Sequence, residues 1–335
     1  MLSWNRVGAT KVMLALLIGG STLVAGSASA FASGNLQAAH TGIPAIAPES
    51  AAGLAALVAG SSSIHSLPSG LVPRLEDVGT DVGNPTLEKS GCVAGETQSS
   101  VGECVFGDLQ GRKTIVLYGD SHAEMWFDAF DKIALSIGWR FVILSKPYCP
   151  PTDLDFISPL ANAPYSSCTA FHAFAVARIK KIHPAVVVIT GALKGTAPGI
   201  APATSLWQTG EEKTLSQLAA AGTKEFVLGS TPYLNTFPNC LAIHPSNIQE
   251  CGLPLAKIPL QSIFQAERAA ATASGATYIS VLPWVCSAVC SPVIGKYEVY
   301  FDEYHLTATY VTLLTQVLRQ ALAPGLSSSP TEGSS

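Results

Sequence analysis

The chain has 335 residues, a formal net charge of −4 and a charged-residue content of 13%. Hydrophobic residues make up 48% of the sequence, which is ample for a large core and excludes an intrinsically disordered protein. We expect no nucleic-acid partner, because the sequence has no cluster of Lys and Arg of the kind that tracks a phosphate backbone.

The first 32 residues have the pattern of an export signal or a membrane anchor. Arg6 and Lys11 precede the apolar run 12–26, and small residues follow at 28–32 in an A-x-A cleavage pattern. The run is shorter than the roughly 20 residues of a spanning helix, which favours a cleaved signal, whereas a retained anchor would include the neighbouring Gly and Ser positions. Both interpretations predict an extracytoplasmic protein, secreted or anchored to the membrane by the N-terminal helix.

Two further segments have the composition of connecting or disordered chain. Residues 33–89 are rich in Ala, Gly, Ser and Pro and follow neither the helical nor the strand period, so we predict a linker with a short helix near 51–59. Residues 324–335 are predicted to be a disordered tail. A folded domain is expected between them, at 90–323.

The eight cysteines fall in close pairs along the chain, as expected for disulfides formed in an oxidising compartment. A zinc site would need two sets of closely spaced cysteines, and only the last pair is that close, so we expect no metal. Pairing of nearest neighbours predicts the disulfides Cys92–Cys104, Cys149–Cys168, Cys240–Cys251 and Cys286–Cys290.

Short apolar runs alternate with helical stretches throughout the expected domain. The predicted strands are 114–118, 140–144, 185–190, 225–229 and 277–281. The predicted helices are 122–137, 167–182, 207–221, 259–273 and 305–322. This alternation predicts an α/β fold, a three-layer α/β/α sandwich with a central parallel sheet. The sequence has no G-x-G-x-x-G after the first strand and no G-x-x-x-x-G-K-[ST], so we expect no nucleotide cofactor.

The first predicted strand ends in the sequence Gly119-Asp120-Ser121-His122. Ligands of an open parallel sheet bind beyond the carboxyl ends of its strands, and Ser121 stands there at the start of a helix. Backbone N–H groups and the positive end of the helix dipole would surround its hydroxyl, which suits an oxyanion formed during acyl transfer. Gly119 permits a sharp turn, and Asp120 can accept hydrogen bonds from the loop.

A serine nucleophile needs a base and a group that orients the base. Asp302 and His305 lie three positions apart, just before the last predicted helix, and this spacing can set the carboxylate beside one imidazole nitrogen while the other faces Ser121. Either motif alone could be an ordinary turn or helix cap. Their occurrence together in an exported α/β chain favours a Ser-His-Asp triad.

The sequences GDSHAEMW at 119–126 and FDEYHLT at 301–307 resemble the first and fifth motif blocks of the SGNH (GDSL-like) hydrolase superfamily. They most resemble the extracytoplasmic SGNH domain of bacterial type 3 acyltransferases, membrane enzymes that O-acetylate cell-surface glycans. The likeness extends over about residues 90–322 and includes the loop SKPYCPP at 145–151. It implies the SGNH, flavodoxin-like fold and a serine esterase or O-acyltransferase that acts on acylated cell-envelope carbohydrate.

The resemblance implies a role for each matching residue. Ser121 is the expected nucleophile, His305 the general base and Asp302 the acid that orients it, with the backbone amide of Ser121 as one oxyanion donor. The superfamily places an oxyanion Asn after the third strand, but residues 190–195 read TGALKG, so the amide of Gly191 is the expected second donor. The implied partners are an acylated surface glycan or small acyl ester and a membrane acyltransferase, and no cofactor is implied.

Two other residues are secondary candidates. His122 matches the acyltransferase-linked subgroup and could shape the acceptor site, although a packed or capping role is the more common one. Trp207 is the best of the tryptophans as a platform for a sugar ring, although tryptophans more often belong to the core.

Three rival functions are considered. An α/β-hydrolase would carry G-x-S-x-G and place its acid and histidine on separate loops, whereas here the fifth position is Ala123 and both groups share one loop. A metallophosphoesterase could use Asp120 and His122 as ligands, but no second cluster of metal ligands follows. The third is a non-catalytic domain that binds glycan or a membrane acyltransferase, its triad idle.

Overall fold

A computed structural model describes the chain from residue 50 to residue 327 in four ranges: 50–192, 204–220, 222–234 and 239–327. The predicted signal or anchor at 1–32, the first part of the linker at 33–49 and the tail at 328–335 lie outside the described residues. Within the described ranges, no helix is both long enough and apolar enough to cross a membrane.

The described residues form helices and strands in alternation. In chain order, the elements up to residue 182 are α1 (Ala51–Gly60), α2 (Pro85–Lys89), β1 (Val105–Gly107), β2 (Thr114–Gly119), α3 (Ser121–Met125), α4 (Phe127–Ser136), β3 (Arg140–Ser145), β4 (Ile157–Ser158), β5 (Ala163–Pro164) and α5 (Ser166–Ile182). The elements that follow are β6 (Val186–Thr190), α6 (Thr204–Leu218), β7 (Lys224–Leu228), α7 (Cys240–Ile243), β8 (Leu253–Pro254), α8 (Gln261–Ser274), β9 (Thr277–Ile279), α9 (Leu282–Val285), β10 (Val289–Cys290), β11 (Val293–Ile294), β12 (Tyr297–Glu298) and α10 (Ala308–Leu326).

Six strands form the main sheet in the order β1-β3-β2-β6-β7-β9. The five strands from β3 to β9 are parallel, and β1 joins the edge antiparallel to β3. The predicted central parallel sheet is confirmed, with one antiparallel edge strand added. The chain moves from β2 outward to β3 and then returns past β2 to β6, so a crevice opens at the carboxyl ends of β2 and β6.

Helices cover both faces of this sheet. The right-handed crossover rule places α4 on one face and α5, α6 and α8 on the other, because the chain reverses its direction across the sheet after β3. The last helix, α10, packs beside α4. Covered on both faces, β6 buries all five of its residues. The predicted three-layer α/β/α sandwich is confirmed.

The segment 50–89, expected to be linker, belongs to the same compact unit as the sheet. The helix expected near 51–59 is α1, which buries Leu54 and Val58 one turn apart. Farther along, the backbone N–H of Val72 donates to the carbonyl of Lys296 at 2.8 Å. The composition did not indicate this packing, because α1 buries only two apolar side chains, too few to produce a helical period in a low-complexity segment.

Several predicted helix boundaries differ from the structure by one to four residues, among them α6 at Thr204–Leu218 instead of 207–221, and the first and last helices differ most in form. The first predicted helix is divided at Trp126, whose buried ring lies between α3 and α4. The last helix begins at Ala308 rather than at His305, because the Thr307 side chain accepts a hydrogen bond from the backbone N–H of Tyr310 and caps it there. It continues through Pro324 to Leu326, where the expected tail begins, since its last turn is buried against the sheet.

All four expected cysteine pairs are bonded in the structure: Cys92–Cys104, Cys149–Cys168, Cys240–Cys251 and Cys286–Cys290. The second of these joins the loop that follows β3 to the first turn of α5. It therefore supports a loop at the carboxyl edge of the sheet, where the candidate site lies.

Candidate active site

The turn that carries Ser121 is determined by close backbone packing and one carboxylate. Gly119 passes so near the neighbouring strand that a Cβ atom there would lie 1.9 Å from the carbonyl oxygen of Thr190, so only glycine fits. Asp120 accepts the backbone N–H of His122 at 2.8 Å through Oδ1 and the N–H of Ala192 at 2.9 Å through Oδ2. The carboxylate thus caps α3 and joins the loops that follow β2 and β6.

The loop that carries the other two groups is closed by a β-bridge between Tyr300 and Leu306. Within it, Asp302 Oδ1 accepts the backbone N–H groups of Tyr304 at 2.9 Å and His305 at 2.7 Å. This turn of the backbone explains the three-residue spacing, because it places the Asp302 carboxylate directly beside the imidazole of His305.

The two loops meet although their residues are 184 positions apart. The Nε2 atom of His305 lies 2.8 Å from Ser121 Oγ, and its Nδ1 atom lies 2.7 Å from Asp302 Oδ2. Ser121 is partly exposed and His305 is buried. A hydroxyl, an imidazole and a carboxylate are therefore connected in the order that activation of a serine requires.

Burial and hydrogen bonding shift the pKa values of His305 and Asp302 in opposite directions. Burial lowers the pKa of His305, the hydrogen bond with Asp302 raises it and neighbouring His122 lowers it, which leaves it below the ordinary value of 6.5. Burial alone would raise the pKa of Asp302, but hydrogen bonds from His305 and two backbone amides outweigh it and bring the pKa below its ordinary value. The resting state therefore contains a neutral imidazole beside an ionised carboxylate.

A second line of hydrogen bonds joins the same two loops behind the triad. The Thr231 hydroxyl donates a short hydrogen bond to the carbonyl oxygen of Tyr304, and its oxygen lies 2.9 Å from His122 Nε2. A hydroxyl has one hydrogen, so His122 must donate from Nε2. The His122 ring is buried 4.6 Å from the His305 ring, centroid to centroid. His122 is therefore packed beneath the site.

The loop that carries Gly191 is held by a buried serine and a buried carboxylic acid. Ser230 Oγ donates to the Gly191 carbonyl at 2.8 Å and makes a short contact with Glu267. A hydroxyl has one hydrogen, so Ser230 can donate to Gly191 and keep its contact with Glu267 only when Glu267 carries a proton. Burial raises the pKa of Glu267 to about 7, against hydrogen bonds from Ser230 and Tyr278 that lower it.

Aromatic side chains surround the histidine. The Phe301 ring is stacked on His305 with centroids 5.3 Å apart, and the Tyr304 ring contacts the other side at 4.3 Å. Tyr233 lies 5.8 Å from Tyr304, and all three aromatic residues are partly exposed. Trp207, the best of the tryptophans as a candidate sugar platform, is 1% exposed and therefore has the more common role of a core residue.

The structure thus brings Ser121, His305 and Asp302 into one connected group, and the loop of Gly191 into contact with the same turn through Asp120. Ser230, Thr231 and the aromatic residues of the loop 300–306, here called the base loop because it carries His305, were not predicted from the sequence. One signal was present: Ser230 and Thr231 lie two and three residues after the end of β7, at the edge of the sheet where Ser121 lies. Both carboxylate oxygens of Asp120, a ligand in the metallophosphoesterase alternative, accept hydrogen bonds from backbone amides. This occupancy counts against a metal-binding role for Asp120.

Comparison with known proteins identifies the family and the fold. The family profile described as "SGNH domain (fused to AT3 domains)" matches residues 91–320. Among solved structures, the chain is similar to the periplasmic domain of a lipopolysaccharide acetyltransferase from Salmonella ser. Paratyphi A. The TM-score is 0.56 and the identity 17%, over 75% of this chain and 98% of that one.

More distant similarity exists to a GDSL-like lipase from Bacteroides thetaiotaomicron, with a TM-score of 0.39 and 14% identity over 63% of this chain and 88% of that one. No curated protein matches the sequence. The likeness to the Salmonella domain shows a shared fold, and the family profile covers more than two thirds of the chain. The chain therefore belongs to the family of SGNH domains that are fused to acyltransferase-3 domains.

Proposed function

We propose that this protein is a serine esterase or O-acyltransferase that acts on acylated carbohydrate of the cell envelope through an acyl-serine intermediate. The observation that carries the proposal is the connected group of Ser121 Oγ, His305 Nε2 at 2.8 Å and, beyond Nδ1, Asp302 Oδ2 at 2.7 Å. Membership of the SGNH family supports it, because the motif that carries Ser121 is the one the family uses for its nucleophile.

The first half-reaction transfers the acyl group to the protein. Ser121 Oγ attacks the ester carbonyl while His305 Nε2 removes the hydroxyl proton, and Asp302 stabilises the imidazolium that results. The tetrahedral intermediate then breaks its bond to the alcohol oxygen, which leaves with the proton from His305. The products are an acyl-serine and a free hydroxyl on the leaving alcohol.

The second half-reaction reverses these steps with a different acceptor. Water or a sugar hydroxyl gives its proton to His305 and attacks the acyl-serine, and the serine oxygen recovers that proton as it leaves. Hydrolysis and transfer differ only in the acceptor. Occupancy of the acceptor position by a sugar therefore decides which product forms.

The proposed oxyanion site uses backbone amides alone. The Ser121 amide stands at the start of α3, and the Gly191 amide belongs to a loop fixed by Asp120 from one side and Ser230 from the other. Neither donor is the side-chain amide that other SGNH enzymes use. Loss of one oxyanion donor costs a factor of about 100 to 1000 in turnover, so we expect slow hydrolysis of simple esters.

The substrate class follows from the partly exposed aromatic side chains beside His305. The rings of Phe301, Tyr304 and Tyr233 offer flat apolar surface, against which the C–H face of a pyranose can pack. The similarity to a periplasmic domain and the fused acyltransferase-3 domains of the family support an extracytoplasmic location and a membrane acyltransferase as partner. Such a partner would supply the acyl group.

The test is turnover of p-nitrophenyl acetate by the wild type and by S121A, with and without an oligosaccharide acceptor. We expect S121A to lose at least about 1000-fold in kcat/KM and to lose labelling by a fluorophosphonate. The matched control is S136A, which removes a serine hydroxyl from the end of α4 and should retain full activity. Mass spectrometry of the protein should detect an acetyl group on Ser121, and mass spectrometry of the sugar distinguishes transfer from hydrolysis. Equal rates for S121A and the wild type would favour the non-catalytic alternative.

A further inference from the structure

The amino-terminal ends of the sheet strands carry a cluster of positive charge that the proposed reaction does not use. Two adjoining cavities of about 300 and 200 Å³ lie there and share the residues Thr114, Arg140 and Ile182. Thr114 and Arg140 begin β2 and β3, whereas Ser121 follows the opposite end of β2. A strand of six residues spans about 20 Å, so the two sites are on opposite edges of the sheet.

Cations from separate elements converge on these cavities. Arg178 and Lys181 come from the last turns of α5, Arg140 from the first position of β3, and Arg112 and Lys113 from the loop before β2. Among the described residues that line either cavity, the only acidic one is Glu103, whose side chain is 86% exposed and lies 3.7 Å from Arg178. The cavities therefore carry five Lys and Arg against one carboxylate, in a chain of net charge −4.

Compensation of the helix dipole, a purely structural role, accounts for only part of this cluster. Cations in the last turn of a helix offset the negative end of its dipole, which explains why Arg178 and Lys181 stand at the end of α5. It does not explain why the loop before β2 and the start of β3 add three more cations beside them, since like charges at close range repel.

Two guanidinium groups also contain unpartnered donors. The Nε atoms of Arg140 and Arg178 are buried, and within the described part of the chain neither has a hydrogen-bond partner. A buried donor without a partner is costly, and both arginines line the larger cavity. A ligand with several acceptor oxygens would bind the two guanidinium groups, whose residues remain partly exposed.

We infer that this basic cleft, defined by Arg112, Lys113, Arg140, Arg178 and Lys181, binds a phosphate-bearing anion. The guanidinium group presents its N–H donors in a fixed fork that matches two phosphate oxygens. Five cations also suit an anion of more than one charge, or a surface of many phosphates, better than a single carboxylate. The ligand could be the phosphate of an anionic lipid headgroup or a soluble phosphate compound, which share this chemistry.

The experiment compares the full chain with R140Q/R178Q in two assays. One is co-sedimentation with vesicles of phosphatidylcholine, with and without 30% phosphatidylglycerol as the anionic probe; the other is calorimetric titration with inorganic pyrophosphate. The control is K89Q/K257Q, which removes the same charge from two exposed lysines outside the cleft. The N-terminal apolar run is common to all three proteins, so any membrane affinity of its own cancels.

We expect R140Q/R178Q to bind one of the two probes about 30-fold more weakly than the wild type, and K89Q/K257Q to stay within about twofold. Loss confined to anionic vesicles identifies a lipid headgroup as the ligand, and loss confined to pyrophosphate identifies a soluble phosphate. If R140Q/R178Q unfolds, K113Q/K181Q replaces it, because both of those lysines are exposed. Equal affinities for the wild type and the cleft variant, or no binding of either probe by the wild type, would overturn the inference.

Discussion

Thr231 provides the sharpest test of how the two site loops are held together. The substitution T231V keeps the shape of the side chain and removes its hydroxyl. Two contacts disappear with it: the short hydrogen bond to the Tyr304 carbonyl and the 2.9 Å contact with His122 Nε2. Tyr304 precedes His305 directly, so the loss falls on the loop that carries both the base and its carboxylate.

The expected cost has two components. T231V leaves a buried donor on His122 without its partner, at about 1 to 3 kcal/mol, and removes the hydrogen bond to the Tyr304 carbonyl, at about 1 kcal/mol, so the free energy of unfolding should fall by about 2 to 4 kcal/mol. A displacement of the base by about 1 Å can cost a factor of 100 in rate, so kcat should fall about 100-fold while KM changes little.

The assay is the esterase rate against pH, together with thermal unfolding. T231S restores the hydroxyl and should recover most of the rate. T214V is the matched control: the Thr214 hydroxyl is buried in α6, donates to the Gly210 carbonyl at 3.1 Å and accepts the Asp153 N–H at 3.1 Å. It should lose stability as T231V does, yet retain kcat, because it touches neither site loop.

The positioning argument would be refuted if T231V and T214V lost activity in the same proportion to their loss of stability. It would also be refuted if T231V had the wild-type kcat. In either case Thr231 would be an ordinary core contact, and the position of His305 would depend on the turn around Asp302 alone.

Three further predictions concern protons. Because burial keeps the pKa of His305 below 6.5 and the base must be neutral, kcat/KM should be constant above about pH 6.5 and fall as the imidazole is protonated at lower pH; a flat acid limb would contradict the role of base. D302N should lower kcat by about 10³ to 10⁴ with an unchanged far-UV spectrum, and a loss below tenfold would show that Asp302 does not orient the imidazole. E267Q should keep most of the rate, because an amide can still donate to Ser230, whereas E267L should lose it; equal rates for the two variants would remove Glu267 from the support of Gly191.

The triad could be predicted from the sequence because its geometry is local on each side. A glycine, a capping Asp and a serine after a buried strand determine one turn, and Asp302 with its two backbone hydrogen bonds determines the other. The general rule that ligands bind at the carboxyl edge of a parallel sheet then places both turns at the same edge. The one long-range contact that had to be inferred, between His305 and Ser121, follows from that shared edge and from the resemblance of both motifs to the SGNH blocks.

The residues that the sequence did not indicate act through contacts between distant segments. Thr231 and Ser230 follow β7 as two ordinary polar residues, and their partners lie about 40 to 110 positions away. The basic cleft is a similar case, because its cations are spread between Arg112 and Lys181 and no charge run appears along the chain. The attachment of α1 depends on only two apolar side chains within a low-complexity segment.

These contacts hold the two turns of the site in different ways. The nucleophile turn is fixed by backbone sterics, since the approach of Gly119 to Thr190 admits no side chain. The loop that carries His305 is joined to the segment after β7 by the Thr231 hydroxyl and by the backbone hydrogen bond from the Leu234 N–H to the Glu303 carbonyl at 2.9 Å. A substrate that packs against Phe301 or Tyr304 would therefore bear on a loop held at these points, one of which T231V removes.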